Sequence, residues 1–190
     1  MKTFVLALSA MTILSSAPSA AAPAGMTDIE EVVAKQQIEE LLYRYALYQN
    51  TDNAEGYVNL FTEDGQFGAV KGRTALTEMA KNEVIKLHKF ESTKEGPLNF
   101  GFLRLVIFNP VIDVIDATHA KGIVYRITIV PNVDNENAPT ILGYGTYQDE
   151  FRKVDGKWLI AKRQNFGPIR IPALGAKLGL GPSAPPPPKP

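Results

Sequence analysis

Between Leu87 and Phe100 the hydrophobic period of this chain changes, and that change limits the folds open to it. Before it, apolar residues recur at steps of three and four, the spacing of one helix face. After it come long runs rich in β-branched and aromatic residues, broken by short polar turns, which is the pattern of paired strands. Helices first and strands after, in separate blocks, read as an α+β domain rather than an alternating α/β one.

The helical block has three parts. Thr27 to Tyr48 carries Ile29, Val32, Val33, Ile38, Leu41, Leu42, Tyr45 and Ala46 on one stripe. Thr27 is placed as its N-cap, with Glu30 three residues on to complete a capping box. Asn50-Thr51-Asp52-Asn53 ends this helix and starts a short second one, with Tyr57, Leu60 and Phe61 on one face. Glu63-Asp64-Gly65 is expected to stop it, and Gln66 to Val70 to begin a strand. Gly72 turns, and Thr74 to Leu87 reads as a third helix. Ser92 to Pro97 is loop. Phe100 to Ile115 reads as a strand buried on both faces, with Pro110 marking a bulge or break. Ala120 to Val130, Ile141 to Lys153 and Lys157 to Pro168 are further strands. Asn132 to Pro139 is a polar loop, and Val154-Asp155-Gly156 is the turn of the last hairpin.

The two ends of the chain are different material. A basic Met1-Lys2, an apolar run from Phe4 to Leu14 and small residues with Ala-rich cleavage options before residue 23 read as a secretory signal peptide. The run is too short for a bilayer span, which needs about 20 apolar residues. The expectation is a signal peptide over 1–22 and an exported, periplasmic protein that has no membrane contact after cleavage. Residues 173–190 are mostly Gly, Ala, Leu and Pro, ending Pro185-Pro186-Pro187-Pro188-Lys189-Pro190, and are expected to be an extended or disordered tail. A proline run of this kind can dock on aromatic grooves. The single domain then spans 23–172. It has no cysteine, so no disulfide framework supports it. Lys plus Arg and Asp plus Glu number 20 each, which leaves no electrostatic footprint for nucleic acid. No His, Cys, Asp and Glu cluster stands at metal-ligand spacing, so no metal and no cofactor is expected.

Strand alternation assigns faces. In the last strand Trp158, Ile160, Lys162, Gln164 and Phe166 share the parity of the bulky residues, and should face the helices. Leu159, Ala161, Arg163 and Asn165 should then face out. The more apolar set of the Ala120 strand, Ile123, Tyr125, Ile127 and Ile129, is placed inward. Arg104 is a lone cation in an apolar run. A bulge in a curved sheet would invert any of these assignments beyond it.

Two distant segments carry a resemblance. YRYALYQNTDNAEGYVNLFTEDGQF, from Tyr43 to Phe67, and GTYQDEFRKVDGKWLIAKRQNFG, from Gly145 to Gly167, together resemble the two ends of a SnoaL-like domain of the nuclear-transport-factor-2-like superfamily. The resemblance implies a curved mixed or antiparallel sheet wrapped around three N-terminal helices, a cone with one deep pocket. It places Gly145, Tyr147, Asp149 and Phe151 inward. Related ketosteroid isomerases use a tyrosine of the first helix and a protonated aspartic acid of a late strand as hydrogen-bond donors to an oxyanion, and Tyr45 and Asp149 look like those positions. Their general base would fall near Ala69, which cannot take a proton. Scytalone-dehydratase-like members use an aspartate at the end of the first helix and a histidine in a central strand. Those positions look like Asn50 and about Leu105. The histidines of this chain, His88 and His119, read as surface residues.

The expected site therefore has Tyr45, Asp149 and Lys162 as catalytic groups, and Asn50, Arg104, Tyr125, Tyr147 and Gln164 as substrate contacts. A desolvated Lys162 would be a proton acceptor. If it pairs with Asp149 instead, both stay charged and Asp149 cannot donate; the two arrangements exclude each other. Arg104 would hold a phenolate or carboxylate of the ligand. The expected activity is a cofactor-free lyase or dehydratase, losing water or formaldehyde from a small hydrophobic, phenolic aromatic substrate. An isomerase acting on a polycyclic ketone, and a binding module with the same pocket, stand beside it. A homodimer is expected through the outer sheet face, with Arg126, Thr128, Tyr144, Thr146 and Arg163 on it.

Overall fold

A computed structural model describes residues 22–23, 25–84, 103–131 and 138–167 of the 190-residue chain, apart from the side chains of 83, 84 and 131. All but the last residue of the expected leader over 1–22, the expected tail over 173–190, the loop at 92–97, residues 132–137 of the 132–139 loop, His88, and the start of the Phe100 strand lie outside the described residues.

Helix α1 (Asp28–Asn50) starts at the expected capping box. The Thr27 hydroxyl accepts from the Glu30 N–H, and the Glu30 carboxylate accepts from the Thr27 N–H at 2.8 Å. Its apolar stripe is buried only from Ala34 onward, through Ile38, Leu41, Leu42, Tyr45 and Ala46. Ile29, Val32 and Val33, expected in the core, are exposed. The short α2 (Ala54–Val58) is capped by Asn53, whose side-chain oxygen accepts from the Gly56 N–H.

Strand β1 (Phe61–Phe67) begins earlier than expected. Leu60 and Phe61 pair with the last strand, and the Leu60 carbonyl accepts from the Ile160 N–H at 2.9 Å. Glu63-Asp64-Gly65 does not stop a helix. It forms the irregularity between Phe61 and Gln66, where two exposed carboxylates leave the ladder. Strand β2 (Val70–Lys71), α3 (Arg73–Met79) and a π-helical turn (Ala80–Val84) follow. The long strands are β3 (Arg104–Val114), β4 (His119–Pro131), β5 (Pro139–Val154) and β6 (Lys157–Phe166). The six form one mixed sheet in the order β2-β1-β6-β5-β4-β3. Only β1 and β6 run parallel. The β5–β6 turn places Asp155 and Gly156 at φ 49° and 79°, the left-handed pair that a two-residue hairpin requires.

Three face assignments are corrected. In β3 the residues around Pro110 form the expected bulge, with Asn109 at φ 50°; Leu103 and Leu105 are buried before it, Ile112 and Val114 after it. The opposite parity is not buried, because Val106 and Val111 are exposed. In β4 the inward set is Val124, Arg126, Thr128 and Val130, while Ile123 and Tyr125 are 43% and 48% exposed. The interior accepts polar side chains there, and the more apolar edge of the strand lies outside. In β6 the register shifts between the Glu150/Lys162 and Phe151/Ile160 pairs, so one extra residue sits at Ala161. Trp158 and Ile160 face the helices as expected; beyond the bulge Arg163 takes the inward place and Lys162 does not.

Gly145 stands where β5 lies close against the backbone of β6. A Cβ there would lie 2.2 Å from the Phe166 carbonyl oxygen, and backbone cannot yield as a side-chain tip can. Gly145→Ala should therefore cost about 1–3 kcal/mol, the usual penalty of overpacking, read as a lowered denaturation midpoint with an unchanged m-value.

Candidate functional site

Helix α1 supplies Tyr45, α2 supplies Tyr57, β1 supplies Phe61, β5 supplies Tyr147 and Asp149, and β6 supplies Arg163. All six are 5% exposed or less. Arg163 is the centre. Its Nε and Nη2 each donate to one Asp149 oxygen at 2.7 Å, the bidentate fork that guanidinium geometry favours. Its Cζ lies 4.0 Å from the centroid of the Tyr45 ring and 4.4 Å from that of Tyr147, so the cation is flanked by two aromatic faces. Arg163 Nη1 is buried and finds no acceptor among the described residues. The Tyr45 and Tyr57 hydroxyls bond each other at 3.1 Å.

Arg126 of β4 lies beside this cluster, its Cζ 5.3 Å from the Tyr147 centroid and its Nε donating to the Asn165 side-chain oxygen at 2.7 Å. Asn165 in turn donates to the Gly167 carbonyl.

Burial pushes the Asp149 carboxyl up from the ordinary carboxylate range, and the Arg163 guanidinium draws it back. Burial opposes charge on Arg163, but Asp149 more than offsets it and holds the guanidinium protonated. Asp149 therefore accepts two hydrogen bonds from Arg163, and does not stand as the expected lone protonated donor. Burial also raises the Tyr45, Tyr57 and Tyr147 phenols well above the usual tyrosine value.

The sequence-chosen residues divide. Tyr45, Tyr147 and Asp149 meet in the interior, within one cluster. Lys162 does not join them: it is partly exposed, 3.5 Å from Glu150 on the other face of the sheet. The β6 bulge inverts its parity, and Gln164 moves with it, paired in register with exposed Gln148. Tyr125 lies on the outer face, stacked on Phe108 at 5.9 Å. Arg104 is half-buried at the start of β3, donating to the Leu103 carbonyl. His119 is exposed at the start of β4, its ring hydrogen-bonded to Asp116 of the preceding turn.

Asn50 and Leu105, the two positions that the resemblance to dehydratases pairs, do touch. The Asn50 amide donates to the Leu105 carbonyl at 2.9 Å and accepts from the Leu105 N–H at 2.7 Å. The place is retained and its chemistry is replaced by a backbone clasp. Arg126, Arg163 and Asn165, all assigned to the outer face from sequence, are the groups that reading missed. Alternation carries no mark of a bulge, so nothing in the local pattern pointed to Arg163.

The raised phenols give a measurable sign. Below about pH 10 both folded and unfolded chains keep these tyrosines neutral, and the protection has no effect on stability. Above it the unfolded chain loses protons that the folded chain retains. Stability should then fall by about 1.4 kcal/mol per pH unit for each protected phenol. In an ultraviolet titration of the native protein, three of the seven tyrosines should stay silent and ionise only as the fold breaks.

Comparison with known proteins agrees with this architecture. No curated protein matches the chain. Among solved structures, a protein of unknown function from Mycobacterium tuberculosis is 28% identical, with a TM-score of 0.59 over 72% of this chain and 77% of its own. A putative scytalone dehydratase from Novosphingobium aromaticivorans is 22% identical, with a TM-score of 0.60 over 75% and 89%. The type-3 hexachlorocyclohexane dehydrochlorinase LinA from Novosphingobium barchaimii is 15% identical, with a TM-score of 0.59 over 84% and 100%. At those last two identities the likeness is one of fold. The profile of the SnoaL-like domain family matches residues 30–164, so the chain belongs to the SnoaL-like domain family.

Proposed function

We propose that this protein is a cofactor-free lyase that eliminates water from a small hydrophobic, phenolic aromatic substrate. The observation that carries the reading is Arg163: a buried guanidinium whose Nη1 has no acceptor among the described residues, lying between the faces of Tyr45 and Tyr147. A fixed donor of this kind stabilises charge that develops on a substrate oxygen, and in a water-poor interior it needs no reorganisation to do so. Two dehydrating or dehydrohalogenating proteins among the structural neighbours support the class of reaction.

In this reading Asp149 is the base. Arg163 takes one lone pair from each of its oxygens and leaves others available. Burial makes the carboxylate more basic than an exposed one, nearer to what proton abstraction at neutral pH requires. Asp149 takes a proton from carbon, that C–H electron pair becomes the new double bond, and the C–O bond to the leaving hydroxyl breaks. Tyr45 gives its proton to the departing oxygen, which leaves as water, while Tyr57 holds the phenol in place. The water just formed carries the proton on Asp149 back to the Tyr45 phenolate, and the site is restored. Lys162 has no part in this scheme.

Tyr45→Phe is the cleaner test. It removes one hydroxyl and keeps the ring that faces Arg163, so the fold should persist while turnover falls about 100-fold. Asp149→Asn should abolish turnover, and also cost about 3–5 kcal/mol because it leaves a buried cation poorly paired. Full activity of Tyr45→Phe on a substrate found by screening phenolic compounds, with products followed by mass spectrometry, would refute this assignment. A second reading, binding without turnover, draws on the same Asp149–Arg163 fork, since a carboxylate held at both oxygens is also a structural group. Ligand-induced thermal stabilisation with no product across the panel would favour it.

The outer face supports a homodimer. Val106, Val111, Ile123, Tyr125, Ile141 and Tyr144 are each at least 42% exposed across β3, β4 and β5, a broad apolar surface for a monomer to leave in water. Arg126, Thr128 and Arg163, expected on that face, are buried on the other, which leaves the outer surface more apolar than the sequence suggested. Tyr144→Glu should convert the protein to a monomer in light-scattering measurements; an unchanged mass would remove this face as the interface.

A further inference from the structure

The inner cluster meets half-buried residues where β1 stops. Strand β1 runs beside β6 as far as Phe67, which stands in register with Arg163. Strand β6 continues to Phe166 with no further β1 residue paired to it. In that stretch Asn165, the register partner of Tyr147, is half-buried. The turn after Phe67 is Gly68 and Ala69, both exposed, so its side chains amount to one methyl group. Deeper in the cone Tyr45, Tyr57, Phe61 and Tyr147 are all buried. Phe67 is a half-buried ring in contact with that set, its centroid 6.2 Å from that of Tyr147 and its plane at 68°. Ring contacts thus run from Tyr45 through Tyr147 to Phe67, and Phe67 meets solvent.

The backbone around Phe67 is held on two sides. The Gly68 N–H donates to the Arg163 carbonyl at 2.9 Å, and Phe67 pairs with Val70 across the turn. Gly68 has φ 56°, a left-handed value that glycine takes without strain. The ring therefore leaves Tyr147 by rotation about its own side-chain bonds, and no strand has to move. An aromatic edge or face prefers another ring. A monocyclic phenol on the cluster offers Phe67 a contact like the one it gives up, whereas a second fused ring needs the volume that the Phe67 side chain fills.

We propose that Phe67 determines which substrates enter the candidate site: its ring closes the way to Tyr147 and Arg163, and on turning aside stacks on the single aromatic ring of the substrate. This role rests on the cluster of Tyr45, Tyr147 and Arg163 being the substrate site. Phe67 itself takes no part in the proton transfers.

Two variants of the full chain separate covering from stacking. Phe67→Ala removes both, and Phe67→Leu keeps an apolar cover without the ring. The probes are phenol and 1-naphthol, titrated by calorimetry at neutral pH. The native protein should bind phenol more tightly than 1-naphthol. Phe67→Leu should weaken phenol about fivefold, the worth of an aromatic contact. Phe67→Ala should reverse the preference, with 1-naphthol gaining about tenfold from the added room. In an ultraviolet titration Phe67→Ala should show two protected tyrosines instead of three, because water then reaches Tyr147, while Tyr45 and Tyr57 stay silent and report an intact fold. Phe67→Leu should keep all three silent. An unchanged preference or three silent tyrosines in Phe67→Ala, or undiminished phenol affinity in Phe67→Leu, would overturn the role of Phe67 and leave the elimination scheme standing. If Phe67→Ala does not fold, the Phe67→Leu result decides. Binding of neither probe by the native protein would overturn the substrate site, and this role with it.

Discussion

The interior of this protein depends on one ion pair and the rings around it. Burying an isolated guanidinium or carboxylate would be prohibitive, and Arg163 and Asp149 each remove most of that cost from the other. The remaining surface of the cation lies against tyrosine faces, which attract it. Removing either partner would leave a buried charge uncompensated, so the helix that carries Tyr45, the strand that carries Asp149 and the strand that carries Arg163 are tied to one arrangement. The aromatic cluster of Tyr45, Tyr57, Phe61 and Tyr147 is then both packing and the inner wall of the candidate site.

Much of the architecture was legible because it rests on local rules. The capping box of α1, the bulge at Pro110, the Asp155-Gly156 turn and the inward parity of Tyr147, Asp149 and Phe151 each follow from side-chain chemistry or from resemblance over a short stretch. The helices-then-strands order led to the α+β sheet, and the two terminal segments led to the family.

The site was less legible, and for a definable reason. Alternation fixes a face only while the register holds. The extra residue in β6 exchanges Lys162 for Arg163, and with it a flexible point charge for a planar fork. In β4 the error was of another kind: the bulkier, more apolar residues were assumed to point inward, but the interior receives Arg126 and Thr128 and the outer face keeps Ile123 and Tyr125. Both errors come from treating the inside of the cone as a simple hydrophobic core. It is a polar cluster within aromatic walls, and the apolar material displaced from it lies on the opposite surface.

Asn50 also closes part of the sheet's edge. Strand β3 is the last in the sheet, and at Leu105 its outward N–H and carbonyl would be open to a strand from another molecule. Asn50 occupies both, as a peptide unit of an added strand would, and Asn109 and Pro110 distort the same edge farther along. At Leu105 this border is thus closed to pairing with an added strand. A side chain at the end of the first helix substitutes for a neighbouring strand and satisfies backbone groups that an edge leaves open.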